Sequence, residues 1–219
     1  MKQYLIFIKE RYKSFINAIE RNKANRLDNV INEVNFIIER KSDTSILVDL
    51  LQKGKLPLRV THNDTKISNI LMDAKTKEGI CVIDLDTIMP GLSLYDFGDA
   101  IRSGATHVSE DEKDLNKVFI DLEFFEAFTK GFLEGTANSL TEKEIELLPM
   151  AVKIITLEQG IRFLTDYLNG DVYYKTNYND QNLDRTRTQL KLVKDIEEKL
   201  NEMKNIVNKC LSNNIVEVW

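Results

Sequence analysis

Glycine and cysteine are scarce in this chain, and clustered basic charge is missing. Its nine glycines include no G-x-G anywhere, so no glycine-rich loop of the kind that cradles phosphates is present. The two cysteines, Cys81 and Cys210, stand far apart without metal-type spacing, the pattern of reduced thiols in a cytoplasmic protein. Lysine and arginine number 30 against 35 acidic residues, for a net charge of -5. No basic block breaks that balance, which argues against nucleic acid as a partner, because phosphate neutralisation needs clustered cations. The opening stretch holds only a four-residue apolar run, LIFI, before charges return. That is too short for a secretory core or a membrane span, so neither membrane nor export is expected.

What is present is ordinary globular material. With 219 residues, 42% of them hydrophobic, the chain can bury a good core, and it reads as a single domain over 1–219. Leu5, Ile8, Tyr12, Phe15, Ile16 and Ile19 recur at helical spacing, as do Leu27, Val30, Ile31, Val34, Ile37 and Ile38. "SDTSILVDLLQKGKLP" predicts a third, short helix with Ser42 or Asp43 at its cap. The character then changes: "LRVT", "NILMD" and "ICVIDLD" predict short strands separated by polar turns such as "AKTKEG". From Tyr95 onward the chain reads as helical again. One helix is marked by Val118, Leu122, Phe125, Phe128 and Phe132. A long one starts from a Thr141–Glu144 capping box, and a last one carries Leu183, Leu190, Val193, Leu200 and Met203. The expected fold class is α+β, mostly α-helical, wrapped around one small acid-rich β insert.

That insert carries the chemistry. His62, Asp64 and Asn69 give H-x-D-x4-N, the spacing of the protein-kinase catalytic loop, where the Asp orients the acceptor hydroxyl and the Asn binds magnesium. Phosphoryl transfer needs these types: a carboxylate to set a hydroxyl in line with the γ-phosphate, and hard oxygens to hold Mg²⁺ against the phosphates. A second metal carboxylate should follow at the end of a buried strand. The literal Asp96-Phe97-Gly98 lies 27 residues past Asn69 with no strand leading into it, whereas Asp84 lies 15 past Asn69, directly after "GICVI". Asp84 is therefore the expected ligand. Asp86 is a helper two residues on, on the same side of an extended strand. Asp96 is expected to tie its helix start to the loop, and His62 to act as scaffold rather than base.

These strings resemble the aminoglycoside phosphotransferase and choline kinase superfamily. The fuller "THNDTKISNIL", "VIDLDTIMPGLSLYDFGDAIR" and "IRFLTDYLNGDVYYK" resemble its N-acetylhexosamine 1-kinase branch over nearly the whole chain. The resemblance implies a protein-kinase-like C-terminal lobe and ATP/Mg²⁺-dependent phosphorylation of the anomeric hydroxyl of N-acetylglucosamine or N-acetylgalactosamine. By motif, Asp64 would be the base, and Asn69 and Asp84 the magnesium ligands. On the long helix, Glu158, Arg162 and Asp166 stand four apart, which fits either an ion-pair ladder or an arginine aimed at the acceptor. The resemblance places "GIRFLTDYLNGDVYY" by the acceptor, which selects Arg162 and Tyr173 as sugar contacts.

A kinase of this type also uses a small N-terminal β lobe with a phosphate loop and a strand lysine. The residues before the short "LRVT" strand that leads into His62 read as helices, and the lysine mimic "MAVK" at Met150–Lys153 falls inside a helical pattern next to Pro149. The expectation is a large lobe with the N-terminal lobe absent, impaired toward ATP by itself. A separate N-terminal lobe chain or a dimer mate is the candidate partner. The alternatives are a non-catalytic sugar-binding or regulatory remnant, and a kinase for another hydroxyl acceptor such as an aminoglycoside, choline or homoserine.

Overall fold

The computed structural model describes residues 7–137 and 139–216. Three helices come first: α1 (Phe7–Arg21), α2 (Ile31–Glu39) and α3 (Ile46–Gln52). Ile8, Tyr12 and Phe15 are buried along one face of α1, as helical spacing requires; Leu5, of the same pattern, lies outside the described residues. The expected cap of the third helix is corrected. Residues Lys41–Ser45 form a 3-10 turn, and α3 begins after Ser45 without a side-chain cap. Asp43 instead reaches Lys153 at 2.7 Å, and Glu197 meets the same ammonium at 2.8 Å. A buried lysine is tolerated only when paired, so Asp43 serves tertiary packing rather than a helix start.

The β part consists of β1 (Arg59–Thr61), β2 (Ile70–Met72), β3 (Gly79–Val82) and β4 (Met89–Gly91). β1 pairs antiparallel with β4, and β2 with β3. β4 was not among the expected strands, and Pro90 sits in it; a proline is admissible there because a two-stranded sheet has only edges. The expected buried strand before Asp84 is also corrected: every residue of β3 is exposed, with Ile80 65% and Val82 52% accessible. Among the described residues no helix covers this hairpin.

The remainder is α4 (Ser93–Gly104), α5 (Leu122–Gly135), α6 (Glu142–Asn169) and α7 (Gln181–Val216). Asp121 accepts from the amides of Glu123 and Phe124 and so starts α5, which leaves Val118 buried ahead of the helix rather than in it. The Thr141–Glu144 capping box opens α6 as expected. Helix α6 is the axis of the molecule, packed against α1, α4 and α7. At one end Phe97 lies edge-on to Phe125 and Phe132; at the other, Phe15, Val34, Ile161 and Leu164 close a second core. The architecture is α+β and mostly helical. Among the described residues no helix is long and apolar enough to cross a membrane.

Candidate active site

The loop from His62 to Asn69 connects β1 to β2, and its shape is imposed by α4. Asp96, in the first turn of that helix, accepts from the amide of His62 at 2.8 Å and of Asn63 at 2.7 Å, while its carbonyl takes the Thr65 hydroxyl. Burial raises the Asp96 carboxyl, and the two amide hydrogen bonds oppose that rise. Asn63 is left-handed, with φ 64°, a conformation Asn accepts better than most residues. The literal Asp-Phe-Gly is thus spent on architecture. Asp96 holds the loop, Phe97 fills the core, and a Cβ on Gly98 would lie 2.8 Å from the Ala151 carbonyl oxygen, so glycine lets α4 lie against α6. His62 accepts from the Asp64 amide through Nδ1 and bonds the Ile83 carbonyl through Nε2, joining the loop to the end of β3.

Within this frame Asp64, Asn69 and Asp84 come together. The Asn69 amide donates to Asp64 Oδ2 at 3.0 Å and lies 3.5 Å from Asp84 Oδ2. Asp84 follows β3 in a left-handed conformation, φ 64° and ψ 53°, which costs on the order of 1–3 kcal/mol for a non-glycine residue and marks sites where geometry outranks stability. The chain then enters a 3-10 turn, Leu85–Thr87. Asp86 is in that turn, not on an extended strand, so the expectation that it shares a side with Asp84 is corrected; it is exposed and makes no hydrogen bond among the described residues.

Magnesium is normally bound through one or two carboxylates completed by substrate phosphates, not by a closed protein cage. The donor types fit: Asp84 offers an exposed carboxylate, and Asn69, whose Nδ2 lies 3.5 Å from it, carries an amide oxygen on the same side chain, while among the described residues no three His, Cys, Asp or Glu side chains gather into a cage.

Beyond Asp64 opens a cavity of about 550 Å³ between the loop, α4 and α6. Arg162 and Tyr173 line it on the side of α6. Arg162 lies 3.8 Å from the partly buried Glu158, which Arg11 approaches to 3.7 Å, and donates to Gln159. Burial raises the Glu158 carboxyl, and the charges of Arg162 and Arg11 oppose it. The third residue of the stripe, Asp166, does not extend the ladder. It accepts from the amides of Val172, Tyr173 and Tyr174 and from the Asn182 side chain, and so shapes the turn after α6. Tyr173 is 72% exposed and edge-on to Tyr174, with ring centroids 4.8 Å apart.

The lining residues that escaped the sequence reading include Lys66, Tyr95, Asp99 and Arg102. Lys66 holds Asp64 Oδ2 at 2.8 Å, and this hydrogen bond raises its own pKa. Tyr95, Asp99 and Arg102 line the cavity from α4. Their i, i+4, i+7 spacing, a polar stripe on one helix face, was the available signal; it overlaps the "YDFG" string in the same stretch.

A protein-family model, described as the phosphotransferase enzyme family, matches residues 17–127. That is half of the chain, and the chain belongs to this family. The family implies a phosphotransferase. The matched span contains Asp64, Asn69, Asp84 and Asp96 and stops before α6, so Arg162 and Tyr173 lie outside it.

Proposed function

We propose that this chain is the large lobe of a kinase-like phosphotransferase that transfers the γ-phosphoryl group of ATP to the anomeric hydroxyl of an N-acetylhexosamine. The observation that carries this reading is the meeting of Asp64, Asn69 and Asp84, with Asp64 on the wall of a cavity that Arg162 also lines. Asp64 would accept the proton of the attacking hydroxyl and orient it. Lys66, held against Asp64, would offset negative charge developing on the transferring group. Asn69 and Asp84 would hold Mg²⁺, which supplies charge neutralisation on the phosphates.

The acceptor class follows from charge and shape. The cavity wall carries four acids, Asp64, Asp99, Glu110 and Glu158, against four bases, Arg11, Lys66, Arg102 and Arg162. A balanced wall suits a neutral ligand and gives a polycationic aminoglycoside no excess negative field. A quaternary ammonium such as choline wants open aromatic faces, but the Arg162 guanidinium already sits 5.5 Å from the Tyr174 ring centroid and 6.0 Å from that of Tyr173. A chamber of about 180 Å³ beside Arg162, lined by Thr165, Val172 and Tyr173, suits an acetamido group, polar at its carbonyl and apolar at its methyl.

Exposed Leu71, Ile80, Val82 and Ile83 flank Asn69 and Asp84. A small β lobe, from a separate chain or a dimer mate, would cover these side chains and complete the nucleotide site. The test is phosphoryl transfer from γ-labelled ATP to N-acetylglucosamine and N-acetylgalactosamine, with and without an added small lobe. Transfer that needs Asp64 supports the reading. Sugar binding without transfer under both conditions would leave a sugar-binding remnant, and neither binding nor transfer would refute the assignment.

A further inference from the structure

Asp99 and Arg102 line the cavity from α4, while Arg162 lines it from α6, and the reading above gives neither of the α4 pair a ligand contact. Asp99 Oδ1 accepts from Arg102 Nε at 2.9 Å and also lies 2.9 Å from Nη2. Arg102 Nη1 donates to Glu110 at 2.8 Å. Three of the five guanidinium N–H groups are thereby committed, which leaves two donors. On the carboxylate, Oδ2 has no hydrogen bond among the described residues. The side chains are 10% and 18% accessible, so the pair is fixed and largely desolvated while still reaching the cavity. One turn earlier on the same face, the Tyr95 hydroxyl is buried with no hydrogen-bond partner among the described residues. Polar groups so placed are costly unless something binds them.

We propose that Asp99 and Arg102 form a second acceptor-binding clamp, which reads two neighbouring hydroxyls of the sugar from the α4 wall. An acceptor carboxylate next to a donor fork matches a vicinal diol: one hydroxyl donates to Asp99 Oδ2, and the next accepts from Arg102. The clamp is in register with the chemistry, because Asp96, three residues before Asp99 on the same helix, holds the backbone that carries Asp64. Helix α4 therefore sets the distance from the bound diol to the base. This makes Asp99 and Arg102 specificity-determining residues; the proposal rests on the sugar-acceptor reading and deepens it.

The test is calorimetric titration of N-acetylglucosamine and its 3-, 4- and 6-deoxy analogues into the 219-residue wild type, Asp99→Asn and Arg162→Lys, with thermal melts alongside. Asp99→Asn should weaken the parent sugar about ten- to a hundredfold, the effect of one charge-assisted hydrogen bond. With the analogue lacking the hydroxyl that Asp99 reads, wild type and Asp99→Asn should bind alike, while Arg162→Lys remains weaker than wild type. Should Asp99→Asn fail to fold, Arg102→Lys, which keeps the charge and loses the fork, takes its place with the neighbouring analogue. Equal binding of the parent sugar by wild type and Asp99→Asn, or the same loss for every analogue, overturns the clamp and leaves the Arg162 assignment standing. If wild type binds no N-acetylhexosamine, clamp and sugar reading fall together.

Discussion

Asp96 Oδ1 lies 2.7 Å from the backbone nitrogen of Asn63 and accepts its proton, across 33 positions of sequence. Through this bond and its twin to His62, the first turn of α4 dictates the backbone on which Asp64 stands. Replacing Asp96 by alanine strands two partly buried amides. Each hydrogen bond to a charged acceptor is worth about 1.5–3 kcal/mol, so Asp96→Ala should lose about 3 kcal/mol or more in a urea titration. Asp96→Asn keeps one strong acceptor and should lose roughly half of that. Equal stability of all three proteins would show that the loop holds its own shape.

A second relationship ties the acceptor wall to the end of α6. Asp166 gathers three consecutive amides, those of Val172, Tyr173 and Tyr174. Asp166→Asn should lower stability by about 2 kcal/mol through lost amide hydrogen bonds. It should also weaken sugar binding, because Tyr173 would leave its place beside the cavity. Asp166→Asn and Tyr173→Ala, titrated against N-acetylglucosamine, should show losses that do not add, since both remove the same ring from the wall. Additive losses would mean that Asp166 acts elsewhere.

The elements written in local pattern were legible in the sequence. The capping box at Thr141–Glu144 and the apolar spacing of α1, α6 and α7 depend on neighbours within a turn or two, and these appear where the pattern puts them. What long-range packing decides was not legible. Asp43 looked like a cap until Lys153, more than a hundred positions later, required a partner. The run before Asp84 looked buried because it is apolar, yet hydropathy cannot say whether anything covers a strand. The spacing His62-x-Asp64-x4-Asn69 exposed the loop side of the candidate site; the α4 side was missed because a helix face must be read three and four residues at a time.

Removing the metal carboxylate should separate the two halves of the site. Asp84 lies 3.5 Å from the Asn69 amide but is not among the residues lining the acceptor cavity. Asp84→Asn should therefore abolish Mn²⁺-induced relaxation of bulk water protons, measured with nucleotide present, while N-acetylglucosamine affinity stays within about twofold, a difference under 0.5 kcal/mol. Loss of sugar affinity together with the metal would place Asp84 in the acceptor wall instead.

Acid should unfold the protein through Glu144 in a defined window. Burial alone would raise its carboxyl, but hydrogen bonds from Arg59, Thr141 and Ser93 outweigh burial and hold it at about 2, against an ordinary 4.5. Its side chain is 2% accessible, with the Arg59 Nε at 2.6 Å. A carboxyl depressed on folding adds stability that is complete above the unfolded value, because there both states are ionised and only the folded one gains the partners. Protonation removes that gain as pH falls from 4.5 toward 2. The full shift corresponds to about 3 kcal/mol, and solvent screening at the quarter-exposed Arg59 reduces this to about 2 kcal/mol. Denaturation midpoints recorded from pH 6 to pH 2 should therefore fall most steeply below pH 4.5. Glu144→Gln should be less stable at pH 6, since it leaves Arg59 without its counter-charge, and flatter across the window. A variant that loses stability on acidification as steeply as wild type would show that other carboxylates set the acid limit.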